Sequence, residues 1–225
     1  SMTTKHFLNL RDLSNQDILK ILDRAIERKS QKEKEKTLVG SKLGLIFEKP
    51  STRTRISFES GILNLGGNAI FMSSSDLQLS RGEPVSDTAK VASSMLDVIA
   101  LRVDKHETLD MFAANSSVPV INALSDLSHP CQILADLMTF KENSVNELEK
   151  VCWIGDGNNV CNSYIEASKM LDFELSIYCP KEYSPNHSFL DYAKENSSFA
   201  NSREEAAKGA DIITTDAVSY THLRA

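Results

Sequence analysis

Basic blocks, long apolar runs and paired-cysteine motifs are all missing from these 225 residues, and each absence removes a class of function. The formal net charge is −6, with Lys and Arg dispersed along the chain, so no nucleic-acid partner is expected. No apolar stretch approaches the ~20 residues that a membrane-spanning helix needs. Ser1-Met2-Thr3-Thr4-Lys5 lacks the apolar core of a secretory signal, and a cytoplasmic location is expected. The four cysteines, Cys131, Cys152, Cys161 and Cys179, all fall in the second half without C-x-x-C spacing. Buried, reduced thiols are expected there rather than disulfides. No His, Cys and carboxylate cluster has metal-ligand spacing, and no Ser-His-Asp arrangement is evident in the sequence. Internal repeats and low-complexity tracts are absent as well.

What is present is a globular composition, 41% apolar and 25% charged, long enough for one large domain or two modest ones. Apolar runs alternate with segments of helical period. Strands are expected at 43–47, 68–72, 98–102, 118–122, 151–155, 174–178 and 211–215. Between them, helices are expected at about 56–66, 86–95, 107–114, 133–141 and 160–171. Ahead of them all, a helix capped by Ser14 should bury Ile18, Ile21, Leu22, Ala25 and Ile26. This alternation predicts helix-covered parallel sheets. It restarts after about residue 142, which predicts two α/β domains bridged by a helix at about 130–142.

One stretch organises the rest. Glu48-Lys49-Pro50-Ser51-Thr52-Arg53-Thr54-Arg55 lies between a buried strand and a helix. Pro50 ends the strand, and Ser51 and Thr52 are both N-cap residue types. A helix N-terminus presents free N–H groups and about half a positive charge, so it favours anions. Arg adds planar, bidentate donors suited to phosphate. In an open parallel sheet, ligands bind at the carboxyl ends of strands. The loop at 48–55, Arg102 and His129 all follow strands, so Arg53, Arg55 and Arg102 are expected to form a cationic pocket with His129 beside it. Gln132 falls on the same side as His129 if a helix begins there. Asp76 to Glu83 is a polar loop that reads either as plain surface or as a mobile or intersubunit active-site loop.

Gly155-Asp156-Gly157-Asn158-Asn159 stands between a strand and a helix, as a dinucleotide-binding turn would. Val160 replaces the third glycine of that fingerprint, and the next strand ends Ile177-Tyr178-Cys179-Pro180 without an acidic residue. A nicotinamide cofactor is therefore not expected. The asparagines can instead hold a polar substrate.

Taken together, Ser51-Thr52-Arg53-Thr54-Arg55, Arg102 and His129-Pro130-x-Gln132 resemble the motifs of the carbamoyltransferase family. Asp76-x-Gln78-x-x-Arg81-Gly82-Glu83 and Trp153-Ile154-Gly155-Asp156-Gly157-Asn158-Asn159 are similar to its ornithine branch rather than its aspartate branch. The resemblance covers about residues 6–217. It implies transfer of a carbamoyl group from carbamoyl phosphate to the δ-amine of ornithine, giving citrulline and phosphate, without cofactor or metal. It also implies a carbamoyl phosphate domain at 1–142, an amino-acid domain at 143–225, and a homotrimer or a multiple of trimers. By motif match, Ser51, Thr52, Arg53, Thr54 and Arg102 hold the phosphate, and His129 and Gln132 hold the carbamoyl group. Gln78 reaches into a neighbouring subunit's site, and Asn159 and Asp216 contact ornithine. Arg102, His129 and Gln132 are the residues expected to act on the reacting group.

The resemblance breaks after Asp216-Ala217. The family continues there with a Trp and a Val-Ser-Met-Gly loop, whereas this chain reads Val218-Ser219-Tyr220-Thr221-His222-Leu223-Arg224-Ala225. The expectation is a truncated second domain with an unrelated tail from about Val218, and a chain that binds phosphate without turning over ornithine. Putrescine or aspartate as the amine, or a phosphate-binding fragment without catalysis, are the alternatives.

Overall fold

The computed structural model of the chain describes residues 4–33, 35–73 and 84–216. By internal contacts it divides into two units, Ser1–Asp12 with Arg24–Asp126 and Leu13–Asp23 with Leu127–Ala225. The first helix, α1 (Asn15–Ser30), is shared between them. Ser14 Oγ accepts from the Asp17 N–H at 3.0 Å, as its N-cap position predicts. Ile18 and Leu22 are buried, but Ile21 is 41% exposed, so the apolar face is narrower than its spacing implies.

The first unit runs β1 (Lys42–Phe47), α2 (Thr52–Asn64), β2 (Asn68–Ser73), α3 (Val85–Met95), β3 (Val98–Arg102), α4 (His106–Ala114) and β4 (Val120–Leu124). All pairings are parallel, in the order β2-β1-β3-β4. Alternation along β1 feeds two cores. Leu43, Leu45 and Phe47 pack with Ile62 of α2, while Ile46 packs with Ile99, Leu101, Leu109 and Phe112. Both faces are covered, which is why β1 reads as an unbroken apolar run.

The second unit holds α5 (Pro130–Asn143), β5 (Lys150–Ile154), α6 (Asn159–Met170), β6 (Glu174–Tyr178), α7 (His187–Tyr192), β7 (Ser197–Phe199), α8 (Arg203–Ala207) and β8 (Ile212–Thr215). Its sheet is also parallel, in the order β7-β6-β5-β8. Fully buried Trp153, Tyr164, Phe173 and Ile177 fill it. By contacts α5 belongs to this unit, although the restart of the sequence pattern puts the boundary after it.

Two element bounds differ for local reasons. Helix α2 begins at Thr52, four residues earlier than its apolar period, because Ser51 caps it by accepting from the Thr54 N–H at 3.4 Å. Strand β4 begins at Val120 rather than Val118. Pro119 has no N–H to give, and the Ser116 hydroxyl donates to the Val118 carbonyl at 2.7 Å, closing a turn.

The N-terminal segment docks on β4. Phe7 bridges to Ile121, and His6 Nδ1 accepts the Val120 N–H at 3.0 Å. Burial lowers the His6 pKa, against a smaller upward pull from Asp12. The folded state therefore prefers neutral His6. This contribution is complete above the unfolded pKa of about 6.5 and is lost as pH falls through the lower folded value. The melting temperature is expected to drop on acidification below about pH 6.5, and His6→Gln is expected to flatten that slope in thermal melts.

Candidate active site

Strand order fixes where a ligand can lie in each unit. In the first sheet the chain leaves β1 for β2 on one side and then returns to β3 on the other, so the connections diverge between β1 and β3. Loops at the carboxyl ends of these two strands flank a crevice. The loop after β1 is residues 48–51, ending on the α2 N-terminus, and β3 ends at Arg102. Glu48 N–H donates to the Arg102 carbonyl at 2.8 Å, and Asp104 N–H donates to the Glu48 carboxylate at 3.1 Å, tying the two ends together.

Arg102 is aimed by an irregularity. The β3–β4 register slips between Leu101 and Arg102, pairing Leu101 with Asn122 but Arg102 with Leu124. The bulge skips Ala123, whose carbonyl accepts from Arg102 Nη1 at 3.5 Å. The same nitrogen donates to Thr54 Oγ1 at 3.4 Å. Both bonds are long, and the buried Arg102 Nε has no hydrogen-bond partner among the described residues. Burial lowers the Arg102 pKa, the sign of a cation held without a compensating anion. Nearby, the α2 N-terminus leaves first-turn N–H groups without helical acceptors. Thr52 and Arg53 are exposed there. Thr54 and Arg102 are thus brought together on the helix turn that also carries Ser51, Thr52 and Arg53, and Arg102 Nε is the buried donor there without a partner among the described residues.

Arg55 is not part of that set. Its Nε donates to Glu59 at 3.0 Å, and its guanidinium lies 3.7 Å over the Phe71 ring. Of the three arginines expected to form the cationic pocket, Arg55 is therefore committed elsewhere. The i,i+4 spacing to Glu59 is the sequence signal for this commitment.

In the second unit the divergence falls between β5 and β8, and the same rule applies. Ile154 pairs with Thr215, and Asp216 N–H donates to the Ile154 carbonyl at 3.3 Å. Gly155 has φ +145°, and a Cβ there would come 2.8 Å from the Asp216 carbonyl oxygen. A Cβ on Gly157 would fall 2.2 Å from the Pro185 nitrogen. Gly155 thus lets the β5–α6 turn close against Asp216 after β8, and Gly157 lets it close against Ser184 and Pro185, rather than cradling a pyrophosphate. Asn158 caps α6, its Oδ1 accepting from the Cys161 N–H at 3.1 Å while its Nδ2 donates to Asp216 at 2.7 Å. Asn159 Oδ1 accepts from the Val160 N–H at 2.8 Å. Both asparagines and Asp216 therefore meet at one turn, and it is Asn158 that positions the carboxylate.

His129 sits at the α5 N-cap position, with Pro130 at N1, but its ring makes no cap bond. Its backbone N–H donates to Ser163 Oγ at 2.9 Å. Gln132, one turn into α5, is exposed, and its Nε2 donates to Asp136 at 2.9 Å. Gln78 lies outside the described residues.

Thiolate and serine nucleophiles are disfavoured by burial. The Cys131 thiol is pushed up to about 12, and Cys161 is also raised, so both stay protonated near neutrality. A Ser-His-Asp grouping, not evident in the sequence, does form in the first unit. His106 Nδ1 lies 2.6 Å from Ser125 Oγ, and Nε2 lies 3.7 Å from Asp110. Ser125 is completely buried, so its hydroxyl cannot meet a substrate. Among the described residues, no group of three or more His, Cys, Asp and Glu is placed to hold a metal, and no helix is long and apolar enough to cross a membrane.

Known proteins match both units. Residues 5–142 match the family model described as aspartate/ornithine carbamoyltransferase, carbamoyl-P binding domain, and residues 148–223 match the Asp/Orn binding domain. The chain is 51% identical over 219 residues to an ornithine carbamoyltransferase of Acinetobacter baumannii, a match covering 96% of this chain and 72% of that protein. The crystal structure of anabolic ornithine carbamoyltransferase from Campylobacter jejuni aligns with a TM-score of 0.90 at 45% identity, over 98% of this chain and 76% of that one. The Thermus thermophilus ornithine carbamoyltransferase aligns with a TM-score of 0.91 at 37% identity, over 99% and 77%.

The donor set makes a paired prediction. Replacing Arg102 with Leu removes a desolvated, poorly partnered cation. It should raise the melting temperature without anion by about 2–4 °C per kcal/mol relieved. Lost charged hydrogen bonds of about 1.5–3 kcal/mol should weaken inorganic phosphate binding by about 10- to 150-fold. Arg53→Ala should weaken phosphate similarly and leave the melt unchanged. Calorimetry and thermal melts on the two variants check both halves.

Proposed function

The chain belongs to the aspartate/ornithine carbamoyltransferase family, and we propose that it transfers the carbamoyl group of carbamoyl phosphate to the δ-amine of L-ornithine, giving L-citrulline and phosphate. The observation that carries this reading is the unpartnered Arg102 Nε beside the α2 N-terminus at the β1–β3 divergence, an arrangement suited to a dianionic phosphate. Relatives about half identical in sequence carry the choice of ornithine.

In this reading Ser51, Thr52, Arg53, Thr54 and Arg102 bind the phosphate, and His129 and Gln132 hold the carbamoyl group. Attack by the amine builds negative charge on the carbamoyl oxygen, and phosphate then leaves as an anion. Donors fixed where that charge develops, Arg102 and His129 here, lower the barrier, each such donor being worth roughly 10²–10³ in rate. Asn159 and Asp216 hold ornithine so that its δ-amine reaches the carbon, and positioning supplies much of the rest. The amine reacts in its neutral form, from an ordinary pKa of about 10.4. No protein nucleophile enters the scheme, in keeping with thiols that burial keeps protonated.

The working assembly in this reading is a homotrimer in the cytoplasm, with Gln78 completing a neighbouring subunit's site. Free cysteines fit a reducing compartment.

Ligands that join a phosphonoacetyl group to the reacting amine test the substrate without requiring turnover. The δ-linked ornithine compound is expected to bind at least about tenfold more tightly than the putrescine or aspartate compounds, a difference of about 1.4 kcal/mol. Tighter binding of the aspartate compound would reassign the amine. For the assembly, Gln78→Ala and Arg53→Ala subunits should each bind the ornithine compound weakly, and mixing them should restore a fraction of tight sites. Absence of recovery, with subunit exchange demonstrated, would return Gln78 to its own subunit.

A further inference from the structure

Gln132 does not stand alone on α5. Its Nε2 donates to Asp136 Oδ1 at 2.9 Å, one helical turn on. The other oxygen, Asp136 Oδ2, accepts from the Tyr164 hydroxyl at 2.5 Å. Tyr164 lies on α6, is completely buried, and packs against Trp153 of β5 with ring centroids 6.0 Å apart. Thr214, the β8 neighbour of Trp153 in register, reaches the same phenol, two residues before Asp216. The side chain of Gln132 is thus braced, through one carboxylate and one phenol, on the sheet of its own unit.

The chemistry of the brace fixes the orientation of the amide. An ionised carboxylate only accepts hydrogen bonds, so the edge of Gln132 that faces Asp136 must be its NH2. The amide oxygen, Oε1, is left for other partners. Burial and the Asp136 charge both raise the Tyr164 pKa, so the phenol keeps its proton and continues to donate. A side-chain amide free to rotate would offer a bound acyl group either a donor or an acceptor. A braced one commits an N–H to Asp136 and holds its oxygen at the opposite edge of the amide as the fixed acceptor.

We propose that Asp136 and Tyr164 are positioning residues that present Gln132 as a fixed hydrogen-bond acceptor, so that the site demands an N–H on the acyl carbon of its phosphorylated substrate. A carbamoyl group meets that demand with its NH2, and an acetyl group, with a methyl at the same place, does not. The selection against acyl phosphates lacking nitrogen is therefore set outside the groups that touch the substrate. This rests on the carbamoyl-transfer reading above and on Gln132 meeting the carbamoyl group.

Two stable phosphonates isolate the effect: carbamoylmethylphosphonate carries the amide, and acetonylphosphonate carries the methyl ketone. The unmodified protein should prefer the amide by about tenfold in calorimetry, the value of one good hydrogen bond. Asp136→Ala and Tyr164→Phe should each reduce that preference to within about twofold while leaving inorganic phosphate affinity unchanged. Tyr164→Phe removes only a hydroxyl, so it carries the test if Asp136→Ala folds poorly. Combined with Gln132→Ala, Asp136→Ala should cause no further loss of preference, because the two act through one contact. Variants that keep the full preference, or that weaken phosphate and both phosphonates alike, overturn the positioning role and leave carbamoyl transfer intact. An unmodified protein with no preference for the amide overturns both.

Discussion

The parallel pairing of β1 with β3 and of β5 with β8 is the constraint on which the rest of the molecule depends. Each pair marks the place where its chain path reverses, so the connections on either side must part. Hydrogen-bonded registers then bring Phe47 opposite Arg102 and Ile154 opposite Thr215. The loops leaving the two strands of each pair are thereby delivered to a shared rim. In the first unit that rim carries a helix N-terminus and a half-buried guanidinium, and in the second an asparagine-capped turn beside a carboxylate. The two rims are built by one topological device used twice.

Holding donors ready for a ligand costs stability in its absence. Arg102 is partly desolvated, its two side-chain bonds are long, and its Nε has no partner among the described residues. The bulge that aims it ends at Leu124, whose φ of 144° lies where glycine is favoured. Strain of this kind costs on the order of 1–3 kcal/mol and persists only where surrounding structure enforces it. Enforcement here is visible, since Leu124 N–H donates to Asn122 Oδ1 at 2.9 Å and its carbonyl accepts from Val103 at 3.0 Å. Bound phosphate would offset these costs by answering the buried cation.

Much of this is legible in the residues because the strongest signals are local. Both parallel sheets come from apolar runs alternating with helical period, and the capped start of α2 from Ser51-Thr52 at a strand-to-helix junction. Long-range partners are not legible. Glu59 and Phe71 together withdraw Arg55 from the pocket, and only the i,i+4 half of that pairing is visible in the sequence. The brace on Gln132 joins Asp136 to Tyr164, 28 positions away, which no local spacing announces. The short elements α7, β7 and α8 carry too few periodic residues to register. Ser202 does signal α8, accepting from the Glu205 N–H at 3.0 Å.

The partition of α1 bears on how this protein is made. Leu13–Asp23 belongs by contacts to the second unit, yet it is synthesised ahead of every strand of the first. Asp23 pairs with Lys141 of α5 at 2.6 Å, a contact spanning more than a hundred residues of intervening chain. The segment is therefore already made when the second unit's strands emerge, and it must be held over while the whole first unit is synthesised. Cutting the chain at 126/127 would not yield two domains. It would leave Leu13–Asp23 on the first piece and strip the second unit of the segment that bears Ile18 and Leu22. The division into units is one of space and not of sequence, and the second unit is assembled from segments on both sides of the first unit's strands.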